Sequence, residues 1–291
     1  MYVFLPLLAG ILPLLLVLGV VFLDRYRERR EGRRSPLTGK LWNGPGQQLR
    51  RELDKSDENL NAVLLFLVLV GPLLLSTWAL YRLSRLEVHF GSGEWVFIVV
   101  FAVAVLLTAY KSVKLRTKRL RLLEGLKAEQ MTAQLLLPLL GKGFQILHDI
   151  PAEGFNLDHV VVGSHTVFVV ETKSRKKPGR GKQSAQVAYD GRALHFPDHI
   201  SSKPVDQARA EADWLRKFLR SATGEVVPIV PVAALPGWYV NQGREAHRAE
   251  VKVINPKMYG ALLNMQTGSR LSEILRSHIV HALVERYPTV G

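Results

Sequence analysis

Two carboxylates and an ammonium, Asp158, Glu171 and Lys173, fall close together in a Val-rich stretch of the chain. Hard carboxylate oxygens of this kind suit a divalent cation, and an ammonium beside them can also neutralise them. Their spacing can be turned into geometry. Asn156–Gly163 and Thr166–Ser174 both read as strands, separated by Ser164 and His165 as a hairpin turn. With those two residues in the turn, Gly163 pairs with Thr166, Val162 with Val167, Val160 with Val169 and Asp158 with Glu171. Side chains alternate along a strand, so Asp158, Val160 and Val162 share a face with Val167, Val169, Glu171 and Lys173. Directly opposed side chains lie ~4.5–5.5 Å apart at Cβ, and opposed like charges are unfavourable unless compensated. A divalent cation compensates them, and so does a plain ion pair with Lys173. The residues alone leave both readings open.

Other elements must hold that hairpin. Arg119–Leu140 is predicted helical, with Leu122, Leu126, Glu129, Ala133 and Leu136 tracing one stripe. Glu129 is out of place there, as a solvated edge of the stripe or as a carboxylate with a purpose. Gly141-Lys142-Gly143 ends the helix, Phe144–Ile150 reads as a strand and Pro151–Phe155 as a loop. After the hairpin, Ser174–Lys182 carries Arg175, Lys176, Lys177, Arg180 and Lys182 among Pro and Gly. Such a basic loop beside carboxylates can hold nucleic-acid phosphates or anionic lipid head groups. Val187–Phe196 reads as a second hairpin. Pro204 opens a helix through Ala222 that has Gln207 in its first turn and Ala208, Ala212, Leu215 and Leu219 on one side. Val226–Leu235 and Val251–Ile254 read as buried strands, and Leu271–Arg286 as a closing helix. His278 and His281 sit there at i, i+3 with no acid nearby, and read as surface or packing histidines.

The 291 residues contain no cysteine, which excludes a disulfide framework, a zinc–cysteine site and a thiol nucleophile. The net charge is +14, most of it from Lys111 onward, which suits a polyanionic partner. Apolar residues crowd the first 110 positions in three stretches, 3–23, 62–81 and 95–110. The first two are long enough for ~30 Å of hydrocarbon, and the third is shorter but bracketed by Trp95 and Tyr110. The first lacks the basic start and small-residue cleavage site of a signal peptide. Arg25, Arg27, Arg29, Arg30, Arg33 and Arg34 load the loop 24–61 with positive charge, as Lys111–Arg121 loads the far flank of the third stretch. The positive-inside rule then places that loop, and everything after Tyr110, in the cytoplasm.

The order Glu129, Asp158, Glu171-Thr172-Lys173, Gln207 resembles the NERD (nuclease-related) domain, a branch of the PD-(D/E)xK nuclease superfamily. The matching wording is Gly125-x-x-x-Glu129, then Asn156-Leu157-Asp158-His159-Val160-Val161-Val162-Gly163, then Val167-Phe168-Val169-Val170-Glu171-Thr172-Lys173, then Gln207-Ala208 just after Pro204. It covers roughly Leu120–Ala234. Sequences of that family often place an aromatic and a Gly soon after the E-x-K, where this chain has its basic tract. The resemblance implies an α/β fold, a PD-(D/E)xK-like mixed β-sheet flanked by helices, here preceded by a helical transmembrane region. It implies Mg²⁺ or Mn²⁺ held by Asp158, Glu171 and the Thr172 carbonyl, with Lys173 acting on water or phosphate, Glu129 as a further ligand or water-orienting group, and Gln207 positioning Lys173 or the phosphate backbone. The expected organisation is a membrane region 1–110, a nuclease-like domain 111–235 and an extension 236–291. The expected function is metal-dependent hydrolysis of DNA or RNA by a protein integral to the inner membrane. A module that binds nucleic acid or lipid without cutting, or a membrane scaffold that recruits a protein, are the alternatives.

Overall fold

The computed structural model describes residues 42–85, 94–178, 185–265 and 268–290, together with residues 19, 22, 23, 26, 39 and 40. The first apolar stretch, apart from residues 19, 22 and 23, lies outside the described residues, as do most of 24–41 and both Arg180 and Lys182. The chain divides into two compact units, Met1–Pro36 with Leu53–Leu120, and Leu37–Glu52 with Arg121–Gly291.

Two long helices, α1 (Gln47–Arg85) and α2 (Glu94–Leu136), hold most of the described residues of the first unit, and the start of α1 and the end of α2 belong to the second. Both are long and apolar enough to cross a membrane, as the second and third apolar stretches predict. They run antiparallel: Asp57, early in α1, takes Arg119 Nε from late in α2 at 2.6 Å, while Tyr81 stacks obliquely on Phe97 at the other end. Leu65, Phe66, Val68, Leu75, Val99, Phe101, Leu106 and Leu107 stay exposed. Contiguous apolar surface of this kind marks a lipid or protein contact. The stretch 95–110 is not a short separate element. With no proline and a single glycine, Gly125, between Glu94 and Leu136, nothing interrupts the ladder across the basic flank. Pro138 then opens a 3₁₀ turn, Leu137–Lys142, and Gly143 closes it at φ 81°.

The second unit is α/β. Its strands, in chain order, are β1 (Gly39–Lys40), β2 (Gln145–Pro151), β3 (Asn156–Val162), β4 (Val167–Thr172), β5 (Gln186–Tyr189), β6 (Leu194–His195), β7 (Ile200–Ser201), β8 (Ile229–Ala234), β9 (Tyr239–Gln242), β10 (Lys252–Ile254) and β11 (Thr289–Val290). Its helices are α3 (Lys203–Thr223), α4 (Gly260–Asn264) and α5 (Glu273–Val284). Among the described residues the main sheet has the order β10-β8-β4-β3-β2, with β2, β3 and β4 antiparallel and β4, β8 and β10 parallel. A second sheet, β7-β6-β5-β9, and the short β1–β11 pair complete the set.

The main sheet is covered on both faces, which explains why β4 is buried at every position. Val160, Val162, Val167 and Val169 pack with Ala212, Leu215 and Leu219 of α3 and Ile279 and Leu283 of α5. Val161, Phe168, Val170 and Val232 pack against Leu136, Leu139, Ile254 and Leu262 on the opposite face. Full burial of each such side chain stabilises by about 1.5–3 kcal/mol. The second sheet has its own core around Tyr189, Leu194, Trp238 and Val253.

Candidate active site

The β3–β4 hairpin has the register that its turn implies. Val162 pairs with Val167, Val160 with Val169 and His159 with Val170, and the Gly163 N–H donates to the Thr166 carbonyl at 2.9 Å. The ladder stops beyond His159, where Asp158 takes the Thr172 N–H on Oδ2 at 2.7 Å. That bond fixes the Asp158 carboxylate beside the end of β4, next to Glu171. On the other side of β3, Asp149 of β2 adopts φ +49°, a left-handed conformation that Asp tolerates better than most residues. Its carboxylate is held by Asn156 Nδ2 at 2.8 Å and by the Gln48 N–H, in the first turn of α1, at 2.7 Å.

Glu171 is 3% exposed, and the Lys173 ammonium donates to its Oε1. Lys173 does not stand alone against one charge. Burial works to lower its pKa, yet the carboxylates of Glu171, Asp158 and Glu211 outweigh burial and leave it raised. Glu129 is 8% exposed, so the odd residue of the helical stripe is no solvated edge. Burial first, then the charges of Asp149 and Glu171, push its pKa up to about 8, with Lys173 acting against them. Asp158 is held well above the ordinary carboxylate range by burial, and then by Glu171 and Glu129, despite the Thr172 hydrogen bond. Burial also raises Asp149, against its hydrogen bonds to Asn156 and Gln48 and the charge of Arg51.

Gln207 reaches this cluster indirectly: its Nε2 donates to Oε1 of Glu211 at 2.9 Å, one turn further along α3. Glu211 is 2% exposed and is absent from the sequence-derived set. Burial first, then the charge and close approach of the Glu171 carboxyl, push its pKa up to about 9. A signal for it existed. Glu211 lies three residues after Ala208 and four before Leu215, on an apolar helical stripe, the same anomaly that marked Glu129. Asp149 had no such signal, because its importance comes from a backbone conformation.

The arrangement fits a divalent cation in charge and in donor chemistry. Four carboxyls, Glu129, Asp158, Glu171 and Glu211, interact within one site against the single ammonium of Lys173. Among the described residues, the buried Oε2 atoms of Glu171 and Glu211 find no hydrogen-bond donor, nor does the buried Thr172 hydroxyl find a partner. Buried oxygens of this kind need a proton or a cation. Among the described residues no three His, Asp or Glu side chains stand as a ready coordination shell, so side-chain rearrangement must accompany any ion.

The basic tract divides. Arg175 is tied down within the fold: it pairs with Asp198 at 3.0 Å, contacts His199 Nδ1 at 2.7 Å, and stacks its guanidinium 4.7 Å from the Phe196 ring centroid. Its carbonyl accepts from Trp238 Nε1 at 3.3 Å. Lys176 and Lys177 are exposed, with Lys176 4.0 Å from Glu124. His278 and His281 are exposed on α5, as expected of surface histidines.

Comparison with known proteins gives one finding for this part of the chain. Residues 124–236 match the family model of NERD, the nuclease-related domain. That segment runs from the end of α2 through β8 and contains Glu129, Asp149, Asp158, Glu171, Lys173, Gln207 and Glu211. No curated protein and no solved structure matches the chain.

Proposed function

We propose that this protein, through its nuclease-related segment, is a membrane-anchored, metal-dependent phosphodiesterase acting on DNA or RNA at the cytoplasmic face of the inner membrane. The observation that carries this reading is the set Asp158, Glu171 and Lys173 at the end of the β3–β4 hairpin, inside the matched segment. Asp158 and Glu171, with the Thr172 carbonyl, offer hard oxygens of the kind that Mg²⁺ and Mn²⁺ prefer. Such an ion supplies a water of lowered pKa and polarises a phosphate.

The remaining chemistry belongs to side chains. Lys173 carries a firmly held positive charge that can orient the attacking water or stabilise charge building on the phosphate oxygens. Glu129, buried beside the site with its carboxyl near Glu171, can take a proton from that water or orient it. Gln207 acts through Glu211, by holding its carboxyl. Lys176 and Lys177, with Arg180 and Lys182 further along the tract, supply phosphate contacts that position the substrate without reading its sequence. The two apolar helices supply the anchor, and the basic flank Lys111–Arg121 is suited to anionic lipid head groups.

The test is cleavage by the full chain in detergent micelles with Mg²⁺ or Mn²⁺, across linear, branched and single-stranded DNA and RNA. We expect cleavage that falls about 100-fold or more in Asp158→Ala and in Lys173→Ala. Intact substrate in every combination overturns the reading. Salt-sensitive nucleic-acid binding that survives Asp158→Ala without turnover identifies a binding module instead.

A further inference from the structure

Glu211 is a strongly buried carboxyl beside Glu171 that lies outside the set Glu129, Asp158, Glu171, Lys173 and Gln207. It projects from the middle of α3, between Ala208, Ala212 and Leu215, each fully buried. A carboxyl on such a face loses hydration that packing cannot replace, so it needs a specific partner. Gln207 supplies half of one, through the bond to Oε1 at 2.9 Å. The other oxygen, Oε2, is buried without a donor among the described residues, and so is Oε2 of Glu171, the carboxyl that acts most strongly on it. Two ionised carboxylates have no donor between them. Only a shared proton or a shared cation can join these oxygens.

We propose that Glu211 is a further carboxylate of the divalent-cation centre, held by Gln207 so that its Oε2 joins Asp158 and Glu171 in binding the ion. This rests on the metal-centre reading given above and extends it to a residue on a different element. It also assigns Gln207 a physical task. A neutral amide one helical turn away occupies Oε1 and leaves Oε2 without a donor among the described residues. The charge of a divalent ion then offsets the mutual repulsion of Asp158, Glu171 and Glu211, each of which raises the energy of the others when charged.

The test is Mn²⁺ binding by the full chain in detergent micelles, followed by calorimetry and by electron paramagnetic resonance, with no nucleic acid present. Glu211→Gln keeps the size and an acceptor for Gln207 but removes the charge. We expect its Mn²⁺ dissociation constant to rise about 10- to 100-fold, with melting in chelator no lower than that of the unchanged chain. Glu211→Asp, which keeps the charge on a shorter stem, recovers part of the affinity. Equal Mn²⁺ affinity in the unchanged chain and Glu211→Gln overturns this proposal alone, as does Glu211→Asp binding no better than Glu211→Gln. Absence of Mn²⁺ binding by the unchanged chain overturns the metal-centre reading itself.

Discussion

At the scale of single residues, the site is a place where folding concentrates charge that it cannot easily hydrate. Glu129, Asp158 and Glu211 all favour the protonated form because they are buried and because each feels other carboxyls. The consequence for stability has a definite sign. An acid whose pKa is raised on folding binds more protons in the native state than in the unfolded chain, so native stability falls as pH rises. For Glu129 and Glu211 the fall begins near the ordinary carboxylate range and ends near pH 8 to 9. We therefore expect the melting temperature of the full chain in chelator to decrease between pH 5 and pH 9. Asp149, Glu171, Lys173 and Arg51 face the same groups and shape the curve. Glu129→Gln removes one titration and flattens the profile, measured by thermal denaturation in detergent. An unchanged slope in that variant would show that the Glu129 carboxyl is not burdened in this way.

At the scale of elements, three supports meet at the carboxylates: a hairpin, a helix stripe and the first turn of α1. The hairpin contributes Asp158 and Glu171 where its ladder ends, with the Thr172 N–H fixing the Asp158 carboxylate. The residue that leads into α1 contributes by close approach. Gly46 has φ +74°, and a Cβ there would come 2.3 Å from Leu126 Cδ1 and 3.4 Å from Glu129 Oε2. Leu126 can yield somewhat, but the left-handed backbone cannot accommodate a side chain without cost. Gly46→Ala should destabilise the chain by about 1–2 kcal/mol, read from the denaturant midpoint. The same Cβ presses on the neighbour of Glu129. In the hairpin itself, Phe168→Ala removes a fully buried ring between β4 and its packing partners and should cost about 3–5 kcal/mol.

The sequence was a good guide to these elements where periodicity was strong. The Val-rich hairpin, the helix opened by Pro204 and the buried strands near Ile229 and Val253 stand where alternation and stripe placed them. It was a poor guide where an element is short or defined by its partner. Strands β7 and β9 have no alternation of their own, and β9 is formed by parallel pairing with β5, some 50 residues earlier. The continuity of α2 was also hidden. Its apolar and basic portions look like different elements by composition, although no helix breaker separates them.

At the scale of the molecule, an apolar helical unit and a basic α/β unit belong to one chain. The reading of the first as an anchor makes a direct prediction. The full chain should remain with membranes after alkaline carbonate washing and should be released by detergent. Protease should reach the Lys176–Lys177 segment in inverted vesicles but not in intact cells. Release by carbonate would remove the anchor, while cleavage in intact cells would reverse the topology drawn from the basic flanks.

What the sequence pointed to by itself was the candidate grouping of Asp158, Glu171 and Lys173 and its nuclease-related surroundings. Asp158, Glu171 and Lys173 are local in the chain, and a strand period of two with a two-residue turn leaves few ways to arrange them. The match of residues 124–236 to the nuclease-related domain agrees with that reading. Only the tertiary structure brought in Glu211 and Asp149 and tied Arg175 to Asp198 and Phe196. The reason is physical. A stripe or a strand pattern says which face of an element is buried, but not which other buried face it meets. Desolvation and charge coupling arise at that meeting, so the surplus of carboxyls around Glu171 could be seen only once α3 had been laid against β4.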